Sequence, residues 1–264
     1  MRVFVEGVGV LGPGLNGWPA SRAVLAGEAA YVAAPMVLKP SDLLPAAERR
    51  RTGVPVKLAL AVGSEAFAHA QRDAAATASV FTSSGGDGDN LHQICETLSV
   101  AELEVSPTRF HNSVHNAAAG YWSIATHSRE PSTSLCGYDA SFAAGLLEAS
   151  VQVAVDGRPV VLIAYDHAYP QPLHAVRPIG GNFGVALVLT PHATRQTFAT
   201  LDVSLIHTQE NPSVVTDTAL DALRASIPAA RSLPLLSALA RHATEVIVLD
   251  YVAGNQLRIA VAPC

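Results

Sequence analysis

The sequence predicts a layered α/β fold built around a largely buried sheet. Patterns typical of strands and of helices alternate along most of the chain, which is characteristic of layered α/β proteins. Two continuous apolar runs, "PVVLIAY" at 159–165 and "FGVALVL" at 183–189, are typical of strands covered on both faces. With 264 residues, the chain is long enough to bury a substantial core.

The first 191 residues carry most of the predicted elements. Residues 3–10 are rich in β-branched side chains and end in the turn-forming segment "GPGLNG", which indicates a strand followed by a loop. The helix at 56–70 consists mainly of small residues, so we expect it to pack closely against the sheet. The full prediction for this part is strands at 3–10, 78–83, 133–136, 159–165 and 183–189, and helices at 21–26, 56–70, 90–98, 112–126 and 139–155, with an irregular connection from residue 35.

Two of these helices have candidate capping residues. Asp87 or Asp89 precedes the helix at 90–98, and Asn112 or Ser113 stands at the start of the helix at 112–126. Short side chains with an oxygen acceptor are preferred at this position because they bind free backbone N–H groups of the first turn.

The sequence pattern after Pro191 differs from that of the preceding part of the chain. We predict a strand at 201–207, helices at 216–225 and 233–240, and a closing β-hairpin at 244–252 and 256–261. Gly254 and Asn255 supply the turn signal of that hairpin. We therefore expect residues 1–264 to form a single domain, in which residues 192–264 are a C-terminal addition that completes the fold.

Composition points to a compact protein with a covered surface. Apolar residues make up 49% of the chain and charged residues only 15%, whereas an isolated domain normally carries about 25% charge. This imbalance suggests that much of the surface is apolar or covered by a partner, so a permanent partner is one hypothesis. Charged residues are also spread along the chain, and no run of about 18 apolar residues predicts a membrane-spanning helix.

Charge and cysteine usage exclude several classes of function. The net charge is −5, and the only basic cluster is at residues 49–51, which argues against nucleic-acid binding. Cys95, Cys136 and Cys264 are odd in number and lack the spacing of a disulfide framework, a zinc site or a redox pair. Glu6 interrupts the apolar N-terminus where a signal peptide has a continuous apolar run. We expect a cytoplasmic protein without a cofactor or metal ion.

Cys136 is the most prominent candidate nucleophile. It lies in "STSLCGYDASFAAG", where a predicted strand runs through a turn into an apolar helix. Backbone N–H groups at a helix N-terminus could stabilise a thiolate and an oxyanion there. A cysteine nucleophile also needs a base. Because cysteine is among the most buried residue types, the sequence favours a small core residue at a strand end.

Histidines near residue 112 are the candidate bases. His111 and His115 flank the start of the helix predicted at 112–126, and a His/Cys pair is the minimum for an activated thiolate. The chain contains ten histidines, and a pair at this spacing is more often involved in capping and packing. The spacing therefore favours a structural role.

Two glycine-rich segments allow a binding role or an ordinary turn. "SSGGDGDN" at 83–90 matches neither a P-loop nor a dinucleotide fingerprint, and its aspartates would repel phosphate. A turn that leads into a capped helix is favoured there. The segment "IGGNFG" at 179–184 can form a turn or the wall of an active site, and turn chemistry explains it equally well.

Taken in order, these segments resemble the N-terminal half of a β-ketoacyl synthase of the thiolase superfamily, and more closely its short chain length factor-like relatives. The resemblance covers residues 1–191 and rests on the order and spacing of weak motifs. These motifs lie at 5–14, 59–66, 81–88, 110–124, 132–149 and 183–189. The resemblance implies a thiolase-like, half-ketosynthase fold with α/β/α layers and a mixed central sheet.

The resemblance also implies that the chain has lost the family's nucleophile. When "SFAA" at 141–144 is matched to the family's helix, the nucleophile position falls on Tyr138, two residues after Cys136. Matching the cysteines instead rotates the buried face of the helix by about 200°. The family's two catalytic histidines belong to a second thiolase half, and no similar motif follows Pro191.

The family analogy therefore implies a noncatalytic subunit that pairs with a full-length ketosynthase and meets the acyl carrier protein through that complex. Such subunits limit chain elongation in polyketide and aryl polyene pathways, of which the aryl polyene pathway is preferred, or in fatty acid-type synthesis. The residues expected at the tunnel or the partner interface are Asn116, Tyr121, Trp122, Tyr138, Phe142 and Phe183, with Tyr138 blocking the vestigial nucleophile region around Cys136.

Two other functions remain open at the level of sequence. The chain could be an active acyltransferase or thioesterase that uses Cys136 with His111 or His115. It could also be a free-standing protein that binds acyl chains. Rapid alkylation of Cys136 with formation of an acyl-enzyme would favour the first of these, and a stable monomer that retains an acyl chain would favour the second.

Overall fold

The computed structural model describes residues 1–39, 41–100, 104–207, 210–252 and 254–264. The described residues form nine strands and ten helices. The strands are β1 (Arg2–Gly12), β2 (Leu15–Asn16), β3 (Ala78–Thr82), β4 (Ser132–Leu135), β5 (Val160–Asp166), β6 (Phe183–Thr190), β7 (Ala199–Ile206), β8 (Glu245–Asp250) and β9 (Gln256–Pro263). The helices are α1 (Trp18–Leu25), α2 (Ala46–Arg51), α3 (Val54–Ala70), α4 (Gly88–Leu98), α5 (Pro107–Ser113), α6 (Ala117–Thr126), α7 (Ser141–Asp156), α8 (Leu173–Val176), α9 (Thr218–Ser226) and α10 (Leu233–Arg241).

All nine strands belong to one mixed sheet. Its order is β4-β3-β5-β6-β1-β7-β9-β8, and β2 forms a hairpin with β1. Strand β3 is parallel to β4 and β5, and the other pairings are antiparallel. The mixed sheet predicted from the sequence is confirmed, and β4 and β8 form its two edges.

Helices cover both faces of the sheet. On one face, α3 and α6 pack over apolar side chains of β3, β5 and β6. On the other face, α1, α7, α9 and α10 pack over side chains from β1, β5, β6, β7 and β9. Strands β5 and β6 are buried along their whole length, as their continuous apolar runs predicted. The α/β/α layering is therefore confirmed.

The small residues of α3 serve close packing, as predicted. Helix α3 lies directly against β1, where Gly7 and Gly9 face it. A Cβ atom added at Gly9 would lie only 2.0 Å from the carbonyl oxygen of Val62 on the helix, and one at Gly7 would lie 2.1 Å from that of Ala66. The helix and the strand can approach this closely only because glycine has no side chain.

The chain after residue 191 extends the same sheet. Strand β7 pairs with β1 from Arg2↔Asp202 to Val5↔Ala199, and β9 then pairs with β7 along eight residues. The predicted hairpin is present, since β8 and β9 are antiparallel from Glu245↔Val261 to Asp250↔Gln256. The division of the single domain at residue 191 stays a prediction.

The helix predicted at 112–126 is wrong as a single element. Its residues belong to the end of α5 and to α6, which are separated by residues 114–116, and the backbone at Val114 is extended. Asn112 does not cap a helix, because its side chain donates to the Arg51 carbonyl at 2.7 Å and accepts from the Tyr121 hydroxyl at 3.0 Å. Helices α2 and α8 were not predicted. Neither contains a buried residue, so neither shows the periodic apolar pattern by which a helix is recognised in a sequence.

Within the described parts of the chain, no helix combines the length and the apolar composition needed to cross a membrane.

Candidate functional site

Three parallel strands end at the same side of the sheet and place a group of polar residues there. Strand β3 leads into "SSGGD", β4 into "CGY", and β5 into "HAY". The carboxyl ends of adjacent parallel strands are a common location for binding sites in α/β proteins. We call this region the carboxyl-end site, and it comprises Ser83, Ser84, His115, Cys136, Tyr138, Asp166, His167 and Tyr169.

A buried carboxylate organises the site. Asp166, the last residue of β5, is 3% exposed. Its Oδ1 accepts hydrogen bonds from the backbone N–H of Ser84 at 2.8 Å, from the Ser84 hydroxyl at 2.6 Å and from the Ser83 hydroxyl at 3.3 Å, while Oδ2 accepts from the Ala229 N–H at 2.8 Å. Burial raises the pKa of Asp166 to about 6, although these hydrogen bonds act in the opposite direction.

Two aromatic rings close the turn after β3. His167 is buried, its Nε2 accepts from the Gly88 N–H at 3.0 Å, and burial lowers its pKa, which favours the neutral ring. The Tyr169 ring meets it edge to face at 5.8 Å. A Cβ atom added at Gly85 would lie 1.6 Å from the Tyr169 hydroxyl, so this turn requires a glycine. The residues Asp166, His167 and Tyr169 were not predicted, although polar residues directly after an apolar strand are a usable signal.

The turn itself leads into a capped helix, as predicted. The Asp87 side chain accepts from the Asn90 N–H at 3.0 Å and from the Asn90 amide group at 2.7 Å. Asp87 therefore caps α4, and the alternative of Asp89 as the cap is wrong.

The expectation that Cys136 is a core residue is wrong. Its side chain is exposed, because it follows an edge strand that has a neighbour on only one side. The thiol donates to the Ser84 carbonyl at 3.4 Å. The Nε2–H of His115 donates to the adjacent Ser83 carbonyl at 3.1 Å, and the His111 ring meets the Tyr121 ring edge to face at 5.9 Å. His115 and Cys136 thus bind neighbouring backbone carbonyls, but the described hydrogen bonds include none between the two side chains.

Tyr138 occupies the unusual backbone position of the strand-to-helix turn. Its φ is 54°, in the left-handed region, which costs a residue other than glycine about 1–3 kcal/mol. The Ser141 hydroxyl holds the turn, since it donates to the Tyr138 carbonyl at 2.7 Å and accepts from the Gly137 N–H at 3.0 Å. The Tyr138 side chain is 60% exposed. Strained positions of this kind cluster at functional sites.

The other residues predicted at an interface or tunnel are mostly internal. Asn116 is exposed at the start of α6. Tyr121, Trp122, Phe142 and Phe183 are each at most 1% exposed and pack within the chain. A partner could touch these four side chains only if that packing opened, and their predicted role stays a prediction.

A shallow groove runs along β4, the edge strand whose outer side pairs with no other strand in the described structure; we call this outer side the open edge. The Ser79 N–H binds the Pro131 carbonyl on the inner side of β4, so the backbone groups of Ser132 and Ser134 face outward. Between β4 and α6 lies a groove of about 410 Å³. The side chains that line it are all small or polar: Asn116, Ala119, Gly120, Ser123, Ser132 and Ser134.

A family profile matches most of the chain and agrees with the family resemblance noted in the sequence. Residues 18–248 match the family profile described as the N-terminal domain of β-ketoacyl synthase. The match continues well beyond residue 191, where the resemblance in the sequence ended. No protein of curated function matches the chain in sequence.

Solved structures with the same fold include chains of ketosynthase and chain length factor complexes. One belongs to the ketosynthase ApeO in complex with its chain length factor ApeC from Xenorhabdus doucetiae, with 21% identity, a TM-score of 0.75 and coverage of 98% of this chain and 99% of that chain. A chain of the ishigamide ketosynthase/chain length factor has 13% identity, a TM-score of 0.74 and coverage of 100% and 99%.

A β-ketoacyl synthase is similar over a smaller part of its length. The β-ketoacyl synthase from Burkholderia phymatum has 15% identity and a TM-score of 0.62, and the match covers 87% of this chain and 70% of the enzyme chain. The predicted thiolase-like, half-ketosynthase fold is confirmed by these matches.

Proposed function

Because the chain belongs to the family of β-ketoacyl synthase N-terminal domains, we propose that it is a noncatalytic, chain length factor-like subunit. It binds a full-length β-ketoacyl-acyl carrier protein synthase and shapes that enzyme's acyl tunnel. The observation that carries this proposal is the extent of the structural matches. Chains from ketosynthase and chain length factor complexes are matched over 99% of their length, whereas the Burkholderia enzyme is matched over 70%.

The geometry around Cys136 supports a noncatalytic role. Thiol catalysis requires a base within hydrogen-bond reach of the sulfur. The described thiol contact is the Ser84 carbonyl, which cannot take up a proton at neutral pH, and His115 is engaged by Ser83. Tyr138, and not a cysteine, is the residue of the turn that has a left-handed backbone.

The open edge of the sheet is the proposed docking surface for the ketosynthase. Outward-facing backbone groups on β4 can pair with a strand of another chain. The groove beside β4 is lined by small residues, which allow close approach. Val114 and Ile124, which lie close in sequence to the lining residues Asn116 and Ser123, are 44% and 41% exposed. Few charged groups would have to lose water on binding, in line with the 15% charge content.

Within this complex, Tyr138 and Asn116 are proposed to limit the length of the growing chain. An exposed aromatic ring beside an apolar tunnel would stop elongation by steric blockage. We propose elongation of the aryl polyene, polyketide or fatty acid type as the reaction served, with the acyl carrier protein reaching this chain through the ketosynthase. A complex of ketosynthase and acyl carrier protein, AntDE:AntF, contains a chain of the same fold. The cytoplasmic location remains a prediction.

The experiment is co-expression with a candidate full-length ketosynthase partner, followed by size-exclusion chromatography and an elongation assay. The variants are Cys136→Ala, Tyr138→Ala and, as a matched control, Cys95→Ala, which removes another exposed thiol. We expect a stable heterodimer, unchanged turnover for both cysteine variants and longer products for Tyr138→Ala.

Because the thiol of Cys136 is exposed, the same assay also tests whether the chain is a Cys-dependent enzyme. If Cys136→Ala abolishes turnover while Cys95→Ala does not, the chain is a Cys-dependent acyltransferase or thioesterase and the proposal is wrong. Failure to form any heterodimer would also contradict it.

A further inference from the structure

An ion-paired cluster adjoins the Tyr138 turn. Asp139 accepts a hydrogen bond from Arg177 at 2.6 Å through Oδ1 and another from Arg231 at 3.2 Å through Oδ2. The Arg177 guanidinium also lies over the Tyr138 ring, 3.6 Å from its centroid. One arginine thus contacts both the tyrosine ring and the carboxylate that follows it in the chain.

The three charged residues come from distant parts of the sequence. Asp139 precedes α7, Arg177 directly follows α8, and Arg231 lies in the short 3-10 helix Pro228–Ser232 after α9. That 3-10 helix is firmly attached, because Ala229 and Ala230 are buried and the Ala229 N–H binds Asp166. The cluster therefore joins the Tyr138 turn to two segments that lie far from it in the sequence, one of which is anchored through Ala229.

The surroundings favour a strong electrostatic effect. The side chains of Arg177 and Arg231 are 17% and 28% exposed and that of Asp139 is 38% exposed, so water screens the two guanidinium charges less than the carboxylate. A guanidinium stacked on an aromatic face is attracted by the ring, and its planar shape allows it to bind a carboxylate at the same time. An ammonium group has neither planar geometry nor this double fit.

The Tyr138 ring needs such a restraint. It is 60% exposed and belongs to a residue with a left-handed backbone, so packing within the chain restricts it little. Ser141 fixes the backbone of the turn, but its hydrogen bonds do not involve the ring. Arg177 is the residue that covers the ring face.

We infer that Arg177, held by Asp139, which also binds Arg231, is a positioning residue that keeps the Tyr138 ring in one orientation. The inference rests on the proposed function, in which the Tyr138 ring limits product length. It adds that the C-terminal addition, which supplies Arg231, takes part in setting that length.

The charge balance explains why Asp139 is essential to the arrangement. Two guanidinium groups share one carboxylate, so removal of its charge leaves two like charges facing each other. Their repulsion would move Arg177 off the ring. Asp221 offers a matched control, because it pairs with Arg224, whose side chain is 18% exposed, and contacts neither Tyr138 nor Asp139 in the described structure.

The test is fluorine NMR of the full chain labelled with 3-fluorotyrosine. The chain contains six tyrosines, and Tyr138→Phe assigns the resonance of interest by its disappearance. We expect Arg177→Met and Asp139→Asn to shift this resonance to the position of 3-fluorotyrosine in a short peptide, and Arg177→Lys to shift it partly. Asp221→Asn should leave it unchanged. Melting curves confirm that each variant is folded.

An unmoved resonance in folded Arg177→Met and Asp139→Asn overturns the inference. A shift of equal size in Asp221→Asn also overturns it, since the effect would then be general. Product lengths from the ketosynthase complex separate this inference from the proposed function. If the resonance shifts but product length does not change, Arg177 restrains the Tyr138 ring, and the proposal that this ring limits product length is wrong.

Discussion

The two edges of the sheet are built in opposite ways. At the β8 edge, the preceding segment covers the strand: the Ser213 N–H donates to the Val248 carbonyl at 2.8 Å, and the Val248 N–H donates to the Ser213 hydroxyl at 2.9 Å. At the β4 edge, the outward groups of Ser132 and Ser134 have no backbone partner among the described residues. Because proteins usually protect exposed edges, this difference supports the proposal that the ketosynthase covers β4.

The largest effect should come from proline at the open edge. Ser134→Pro removes an outward N–H that the fold does not use, so the chain should fold normally, but it prevents pairing with a partner strand. We expect binding to the ketosynthase to weaken at least about a hundredfold, or roughly 3 kcal/mol. Isothermal titration calorimetry measures this change.

Val246→Pro is the matched control at the closed edge. Val246 lies two residues from Val248 on the same outward side of β8. Its substitution should leave the affinity for the ketosynthase within about twofold. Equal loss of binding in both variants would show that the two edges do not differ as described.

The stability of the folded chain should depend on pH through Asp166. Its pKa is raised from 3.8 to about 6, so the folded state holds this proton more tightly than the unfolded state. The free energy of unfolding should therefore fall by at most about 3 kcal/mol as pH rises from 4 to 7. Denaturant unfolding of the wild type and Asp166→Asn at four pH values measures the difference.

Asp166→Asn should be less stable at pH 4, because an amide cannot accept all four hydrogen bonds at this position. Its stability should also vary less with pH than that of the wild type. An identical pH slope in the two proteins would mean that Asp166 does not carry this proton.

Bulk added to the groove beside β4 should have a smaller effect. Gly120 has open space around its Cα, so Gly120→Trp should fold, but its indole would occupy the groove. We expect ketosynthase binding to weaken about tenfold, or 1.4 kcal/mol. Val155→Trp, on an exposed position of α7 away from the groove, is the control and should bind normally. Normal binding by Gly120→Trp would place the partner elsewhere.

The smallest expected effect is the loss of stability when the contact between Ser213 and the edge strand β8 is weakened. Ser213→Ala removes the acceptor of the Val248 N–H, which should lower the free energy of unfolding by about 1 kcal/mol. Ser134→Ala at the open edge should change it much less, since its hydroxyl has no hydrogen bond in the described structure. Thermal unfolding of the two variants compares them, and equal losses would contradict the difference between the edges.

Much of the fold could be predicted from residue patterns, because buried strands leave a clear signal. The apolar runs of β5 and β6 and the turn signal of the β8–β9 hairpin identified these elements directly. The contacts of Asn112 with Arg51 and Tyr121, which replace its predicted capping role, could not be predicted, since they form only in the folded chain.

The site was harder to predict than the fold. The segment around Cys136 was recognised, but the exposure of its thiol follows from the position of β4 at the sheet edge, and strand order is not visible in the sequence. The role of Asp166 depends on partners more than 60 residues away in both directions. Arg177 and Arg231 likewise meet Asp139 only in the folded chain.

Hydrogen exchange measured by mass spectrometry, with and without the full-length ketosynthase, tests the central claim most directly. The account predicts that amide exchange in 132–135 slows at least about tenfold on binding, while exchange in 245–250 does not change. Slower exchange at 245–250 instead, or no change at 132–135 in a sample where the complex has formed, would contradict the proposal that the ketosynthase covers the open edge.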